Sequence, residues 1–393
     1  MRHLLVGIAV TALFASCGGD SLPTSCFATA VPLGANALTL RPDARLDRVG
    51  AGFVLLAATA DKVLAETVGT KGEPGPLVTI PVPVHSDGPW VGAVAGAAGG
   101  VSLVVAYAAN PSGGTADLMT FTAGGDGSAP SSPVAVGKIP DKALGPVVVS
   151  AGSGRGGAHV GIAWGVPGVG QILAKVLGAD GSVIADLPVA PAADFDCLRF
   201  GPGKEDLTVS YTQSAGTPLR QSLHVSEILA DGTAGQSFSF TLSSSAATGC
   251  PAIAPSVGGY GVAWKEVGTP VAPGQGDFFA LYDQTVQMYV PSLVLSNPRA
   301  VGGDAPPIVG VGTSGNRFTL LFAQATGAHS WEVDFQGRQV AAPVTYPSSH
   351  GNIGAVSVQP VGSSLFATYA DYGSSDPANQ ATGDRLFVEL TCR

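Results

Sequence analysis

Side chains able to do chemistry are sparse in this chain and gather in short segments. His85, Asp87 and Trp90 form one group, Asp141 and Lys142 a second, and Asp194, Asp196 and Arg199 a third. Arg299 with Asp304, and His350 with Asn352, complete the set, and two longer polar stretches, Lys265 to Gly276 and Asp371 to Asp384, add carboxylates. If the fold brought such groups together, they could bind a metal, a sugar or a peptide. Asp194-Phe195-Asp196, with Asp87 and His85, would offer Ca²⁺ several of the oxygen ligands it requires. Paired carboxylates need no sequence motif to cleave a glycosidic bond. Asp371, Asp376 and Asp384, with Asp194 and Asp196, are therefore the first suspects for glycan chemistry.

Motif-borne chemistry is not legible. No serine has glycines two residues to either side, and His-Glu-x-x-His, a Walker loop and paired-cysteine zinc spacing are all absent from the sequence. The run Gly152-Ser153-Gly154-Arg155-Gly156-Gly157 lies between two strand-like segments. No helix follows it, so the N-terminus that would cradle a phosphate is missing. His159, His224 and His329 stand alone and read as surface or packed residues. No catalytic residue and no metal site is assigned, and Ca²⁺ is the one cofactor the residue types would suit.

The elements that must position these groups show themselves as a repeat. Tyr260-Gly261-Val262-Ala263-Trp264 has relatives at Phe53 to Ala57, Leu103 to Tyr107, Val160 to Trp164, Leu207 to Tyr211, Phe318 to Phe322 and Leu365 to Tyr369. The seven copies recur every 47 to 58 residues. Each has large apolar residues at its first, third and fifth positions, and most have small ones between, the alternation of a β-strand. In the third repeat, Gly145 to Ser150, Val160 to Trp164, Ile172 to Leu177 and Val183 to Val189 read as four strands. Asp180-Gly181 separates the last two, with Asp126-Gly127 and Asp231-Gly232 at matching places, which predicts type I′ hairpin turns. Gln336-Gly337 is a relaxed version and Asp283-Gln284 departs from it.

Four antiparallel strands repeated radially are the blades of a β-propeller. The expected fold is all-β, with seven blades at about 33–84, 85–137, 138–191, 192–244, 245–297, 298–347 and 348–393. The first copy is the weakest, with Ala57 in place of an aromatic, so six blades and an irregular first segment remain an alternative. The large row of each signature strand should fill the shallow face left by the small row of its neighbour. The last repeat lacks a fourth strand, and residues 25–32 are expected to supply it and so close the ring.

Composition agrees with buried sheets. Charged residues are 12% of the 393, hydrophobic residues 45%, Gly 55 and Pro 30. The hydrophobic content argues against disorder. A net charge of −9 without any Lys/Arg cluster argues against a nucleic-acid partner.

The chain begins with Arg2 and His3, an apolar run from Leu4 to Ala15 too short to span a bilayer, and then small residues, the anatomy of a secretory signal. Its end, Leu13-Phe14-Ala15-Ser16-Cys17, resembles a bacterial lipobox, with Phe14 where Leu is preferred. Residues 1–17 are thus expected to be a lipoprotein signal with Cys17 lipidated, 18–24 a tether, and 25–393 one propeller domain. Export makes the remaining even set, Cys26, Cys197, Cys250 and Cys392, a candidate disulfide framework. Cys197 and Cys250 precede equivalent first strands, and Cys26 would lie beside Cys392 in the closing blade, which predicts those two pairings.

Glycines, an apolar-x-Val-x-Trp strand, a variable loop and strands ending in Asp-Gly together resemble a repeat of secreted bacterial propeller proteins, including myxobacterial lipoproteins. The resemblance covers nearly the whole mature chain and implies architecture and export. In such folds loops collect ligands at the channel mouth, where His85, Asp87, Trp90, Asp194, Asp196, Arg199, His350 and Asn352 would stand. The function expected is a monomeric, membrane-anchored, non-catalytic scaffold at the outer membrane or cell surface, binding an envelope protein or a glycan. The competing expectation is a glycan-acting hydrolase or lyase, and a structural spacer is a third.

Overall fold

The computed structural model describes residues 30–390 except for short internal segments, the longest being 268–275, 295–308 and 373–382. Chain order gives β1 (Val31–Pro32), then a first sheet of β2 (Arg45–Val49), β3 (Gly52–Thr59), β4 (Lys62–Val68) and β5 (Pro74–Pro81). The second sheet holds β6 (Trp90–Ala95), β7 (Val101–Ser112), β8 (Thr115–Gly124) and β9 (Val134–Pro140). The third holds β10 (Val148–Ser153), β11 (Val160–Val166), β12 (Val169–Leu177) and β13 (Val183–Pro191). The fourth holds β14 (Asp196–Pro202), β15 (Leu207–Ala215), β16 (Arg220–Ile228) and β17 (Ala234–Ser243). In the fifth the edge strand is split into β18 (Ala247–Thr248) and β19 (Ala252–Ser256), both on β20 (Gly259–Val267), followed by β21 (Gly276–Asp283) and β22 (Met288–Val294). The sixth holds β23 (Val309–Ser314), β24 (Arg317–Gln324), β25 (Gly327–Asp334) and β26 (Val344–Pro347). The last is β27 (Asn352–Val361), β28 (Ser364–Tyr372) and β29 (Gly383–Glu389), with β1 on its outer edge.

These are antiparallel sheets of four strands paired in chain order, and the protein is an all-β β-propeller. Among the described residues six sheets have four strands, and a further one has five because its edge strand is split into β18 and β19. Every signature segment lies in the second strand of its sheet. Where side chains are described, their rows pack as size complementarity requires. Val160, Ile162 and Trp164 of β11 pack on Val104 and Ala106 of β7, and Leu207, Val209 and Tyr211 of β15 pack on Ala163 and Ala174 of the third sheet. The fit leaves no slack. A Cβ added to Gly161 would stand 1.8 Å from the Phe200 ring.

Ala57, the odd member of the signature set, is explained by the same packing. The aromatic content at this seam comes from the last sheet: Phe53 meets Phe366 at 5.0 Å and Phe387 at 5.6 Å between ring centroids. β1 pairs with β29 antiparallel, Val31 opposite Phe387 and Pro32 opposite Leu386. The N-terminal segment therefore supplies the missing outer strand. Behind it, Asn36 donates to Glu66, a buried carboxylate on β4, at 3.0 Å.

Three expectations need correction. The Asp-Gly turns are not type I′, because the glycines take positive φ (Gly127 85°, Gly181 78°, Gly232 81°) while their aspartates do not. Gly181 N–H instead donates to Gly178 O and Gly178 N–H to Ser182 O, a type I turn closed by a glycine bulge. The aspartates cap these turns: Asp126, Asp180 and Asp231 each accept the amide two residues on, at 2.9 to 3.0 Å. Hydroxyl bonds from Ser182 to Asp180 and from Thr233 to Asp231, and at Asp126 the Ser128 amide, hold these carboxyls below the usual range. Second, β9 runs through the expected blade boundary at 137, because Pro130 and Pro133 lack the N–H a ladder needs and delay the strand to Val134. Third, the first strand of the third repeat begins at Val148 rather than Gly145, whose φ of 136° is not extended.

Two outcomes follow from this packing. Gly161→Ala should overpack the seam and lower stability by about 1–3 kcal/mol or more, and Phe200→Leu in the same chain should recover part of the loss in denaturant melts; an unchanged midpoint for Gly161→Ala would refute the fit. Burial raises the Glu66 pKa more than its Asn36 bond lowers it. The folded state therefore binds this proton more tightly than the unfolded chain, so the benefit is complete below the unfolded pKa and lost as pH rises through the folded one. The thermal midpoint of Glu66→Gln relative to the native chain should thus improve from pH 4 to pH 7, and a difference independent of pH would contradict it.

Candidate functional site

A propeller has two ends. Turns joining first to second and third to fourth strands meet at a hairpin end, and the second-to-third loops and the crossovers between sheets meet at a loop end. Those sequence candidates that fall among the described residues belong to the loop end. His85 and Asp87 lie outside the described residues, as do Arg299, Asp304 and Asp376. Cys17, Cys26 and Cys392 lie outside them too.

Those that are described separate into groups. Trp90, at the start of β6, is half-buried and packs with Val147, Val149 and Trp164, so its role is to fill a seam. Asp141 is buried and caps a turn, accepting Ala143 N–H at 2.7 Å. Asp194, Asp196 and Arg199 are exposed to solvent, although the protein surrounding the Arg199 guanidinium on β14 lowers its pKa. Beside them the Cys197–Cys250 disulfide joins the starts of β14 and β19, with Cα atoms 5.3 Å apart. Its 53-residue separation corresponds in the chain-entropy account to about 4 kcal/mol of restraint on the unfolded chain. Among the described residues no three His, Cys, Asp or Glu side chains are grouped to hold a metal.

The most structured polar cluster surrounds Asp371, at the end of β28. This carboxylate is wholly buried and accepts Ser348 Oγ at 2.5 Å, Ser349 N–H at 2.6 Å, Ser349 Oγ at 2.9 Å and His350 N–H at 3.3 Å. His350 is exposed, with its Nδ1 3.7 Å from Asp371 Oδ2 and 3.0 Å from Ser349 Oγ. A serine, a histidine and an aspartate are thus adjacent, yet the arrangement is not a nucleophilic relay. In a relay the carboxylate and the hydroxyl engage opposite ring nitrogens, whereas here both sit at Nδ1 and the serine already donates to the aspartate. Asp371 holds the crossover segment onto the sheet. Asp384 stands directly opposite it across β28 and β29, so two carboxylates of the suspected loop are cross-strand neighbours. Asn352 begins β27 close by in sequence.

Sequence reasoning missed the polar contacts nearest the axis. Arg45 Nε meets Asp47 at 3.0 Å on β2, Ser153 Oγ donates to Asp47 at 2.7 Å, and Ala93 N–H donates to Ser153 Oγ at 2.9 Å, joining three sheets. His159, read as isolated, lies with Nδ1 2.5 Å from Asp206 of the next sheet. Burial raises the Asp206 pKa, and His159 offsets part of that. Apart from Arg45 and Asp47, two residues apart on β2, no local signal marks these contacts, because the partners sit about one repeat or more away. Among the described residues a groove of about 400 Å³ lies not at the loop end but at the hairpin end of the second sheet. Its one carboxylate, Asp126, is engaged by Ser128.

No protein-family model matches the chain, and no curated protein matches it. Solved structures do resemble it. One is the polysaccharide lyase Uly1, at 10% identity, covering 96% of this chain and 94% of that one with a TM-score of 0.56. Others are the β-propeller domain of the Trilobed protease from Pyrococcus furiosus, at 9% identity over 89% and 98% of the two chains with a TM-score of 0.45, and Trypanosoma rangeli sialidase, at 12% over 93% and 59% with 0.46. At such identities the likeness concerns fold alone.

The cluster has a measurable consequence. Asp371→Ala strands several donors and should cost about 2–4 kcal/mol, read as a lowered denaturation midpoint, with Asp371→Asn falling between; a midpoint equal to the native one would show that the carboxylate does not hold the crossover.

Proposed function

We propose that this chain is an exported lipoprotein whose propeller serves as a non-catalytic binding scaffold at the cell envelope, with residues 1–17 as signal, Cys17 as lipid anchor, 18–24 as tether and 25–393 as one ring of seven blades. The observation that supports it is the state of Asp371. The carboxylate best placed to act with a histidine at the loop end is fully buried and saturated by donors from Ser348, Ser349 and His350. Its work is structural. Asp194, Asp196 and Arg199 at the start of the fourth sheet and His350 before the last sheet are exposed, a dispersed polar set suited to recognition of a glycan or an envelope protein.

The same reading includes a Cys26–Cys392 clasp. Cys26 precedes Val31 by five residues and Cys392 follows Phe387 by five, and Val31 faces Phe387. Continued in that register, the ladder brings the two cysteines opposite each other at a cross-strand Cα separation of about 4.5–5.5 Å, a span that a disulfide bridges.

A second reading, a hydrolase or lyase acting on glycans, rests on Asp384 standing opposite Asp371. One experiment separates them. The purified protein is screened by thermal shift against Ca²⁺, glycans and cell-wall fragments, and every hit is assayed for new reducing ends or unsaturated products. A saturable shift without products is expected; products that vanish in Asp384→Asn would replace the scaffold reading with the catalytic one.

A further inference from the structure

The outer edge of a propeller sheet invites pairing with another chain unless the sequence discourages it. Proline does so, because it has no N–H to offer a new ladder. Among the described residues each outer strand but one contains it: Pro32 in β1, Pro76 in β5, Pro140 in β9, Pro188 in β13, Pro291 in β22 and Pro347 in β26. The exception is β17, the outer strand of the fourth sheet. Its ten residues hold neither proline nor charge. Among the described residues β16 pairs with it on one side and no strand lies on the other.

The middle of this edge is regular as well as unguarded. The register with β16 shifts near each end but runs without a break from Ser226 opposite Ser237 to Ser222 opposite Thr241. Bulges turn the ends of a strand away from partners, so Ser237 to Thr241 is the stretch suited to pairing. Within it Phe238 and Phe240 pack against Tyr260 of the fifth sheet, at 4.9 and 6.1 Å between ring centroids. Ser237, Ser239 and Thr241 are exposed. The stretch is its own complement. Two copies laid antiparallel about Ser239 place Ser239 opposite Ser239, Phe238 opposite Phe240 and Ser237 opposite Thr241, so aromatic meets aromatic and hydroxyl meets hydroxyl. In a chain of net charge −9, an uncharged strip is also where two copies approach with least repulsion.

We propose that β17 pairs with β17 of a second copy about a two-fold axis at Ser239, so that the fourth sheet of one protomer continues into that of its partner. Main-chain hydrogen bonds hold such a joint. A strip this short buries less than the roughly 1,200 Å² of a standard interface, so the association is weak and rises with concentration. It replaces the monomer expected from the sequence. Because the edge lies on the outer wall and not at the loop end, its failure would leave the scaffold reading intact.

The test combines sedimentation equilibrium of the full chain over a wide concentration range with oxidative cross-linking in air, every variant being checked for native circular dichroism. The native protein should associate as concentration rises. Ser239→Lys sets two like charges directly opposite each other and should weaken the association roughly tenfold. Pairing about the two-fold brings the Ser239 Cα atoms of the two protomers to about 4.5–5.5 Å, a span that a disulfide bridges. Ser239→Cys should therefore oxidise to a covalent dimer much faster than Thr79→Cys, whose site is also exposed but lies on the proline-bearing β5. Cross-linking no faster than in Thr79→Cys overturns the proposal and leaves the edge to an extended segment of another protein. An association that Ser239→Lys leaves unchanged overturns it as well.

Discussion

The structure depends on how the last sheet meets the first. Every sheet needs a neighbour on both faces, because its strands carry apolar rows on each side, and a linear array would leave two such faces in water. Here the gap between the ends is sealed at several depths. Near the axis Ser357 Oγ donates to Leu46 O at 3.1 Å and accepts Leu46 N–H at 3.2 Å, while Gln359 donates to the same carbonyl at 2.8 Å. Further out, Phe53 fills the space against Phe366 and Phe387. At the outer edge β1 covers β29, and the wholly buried Arg385 donates to Arg41 O at 2.8 Å. Burial pushes its pKa down to about 10, the cost of a cation placed where it must hold a carbonyl of the adjoining segment.

That closure accounts for the composition. With both faces of each sheet packed on neighbours, charges have few places to go apart from turns, outer edges and the two ends of the channel. Buried aspartates take on architectural work: Asp47 ties inner strands together, Asp371 pins a crossover, and Asp206 braces a hairpin against the next sheet. Recognition is then left to exposed side chains at the mouths.

Much of the fold was legible because period-two alternation is a local signal repeated many times, and an error in one copy is outvoted by the others. The Cys197–Cys250 pairing followed from equivalence of repeat position. The N-terminal closing strand followed from a missing strand at the other end. Turn chemistry was less legible. Asp180-Gly181 fits a type I′ turn or a type I turn with a glycine bulge, and the choice depends on Gly178 and Ser182 outside the dipeptide. The site was the least legible part. Trp90, singled out as a ligand-face aromatic, has the same composition as a seam filler, and Asp141 the same as a cap.

The central claim is that the ends of the chain are knitted into one composite sheet that closes the ring. Peptide mapping by mass spectrometry of the unreduced, exported protein tests it most directly. The account requires a peptide carrying Cys26 joined to one carrying Cys392, separable only on reduction. Free thiols at both positions, or either cysteine bonded to another partner, would contradict it.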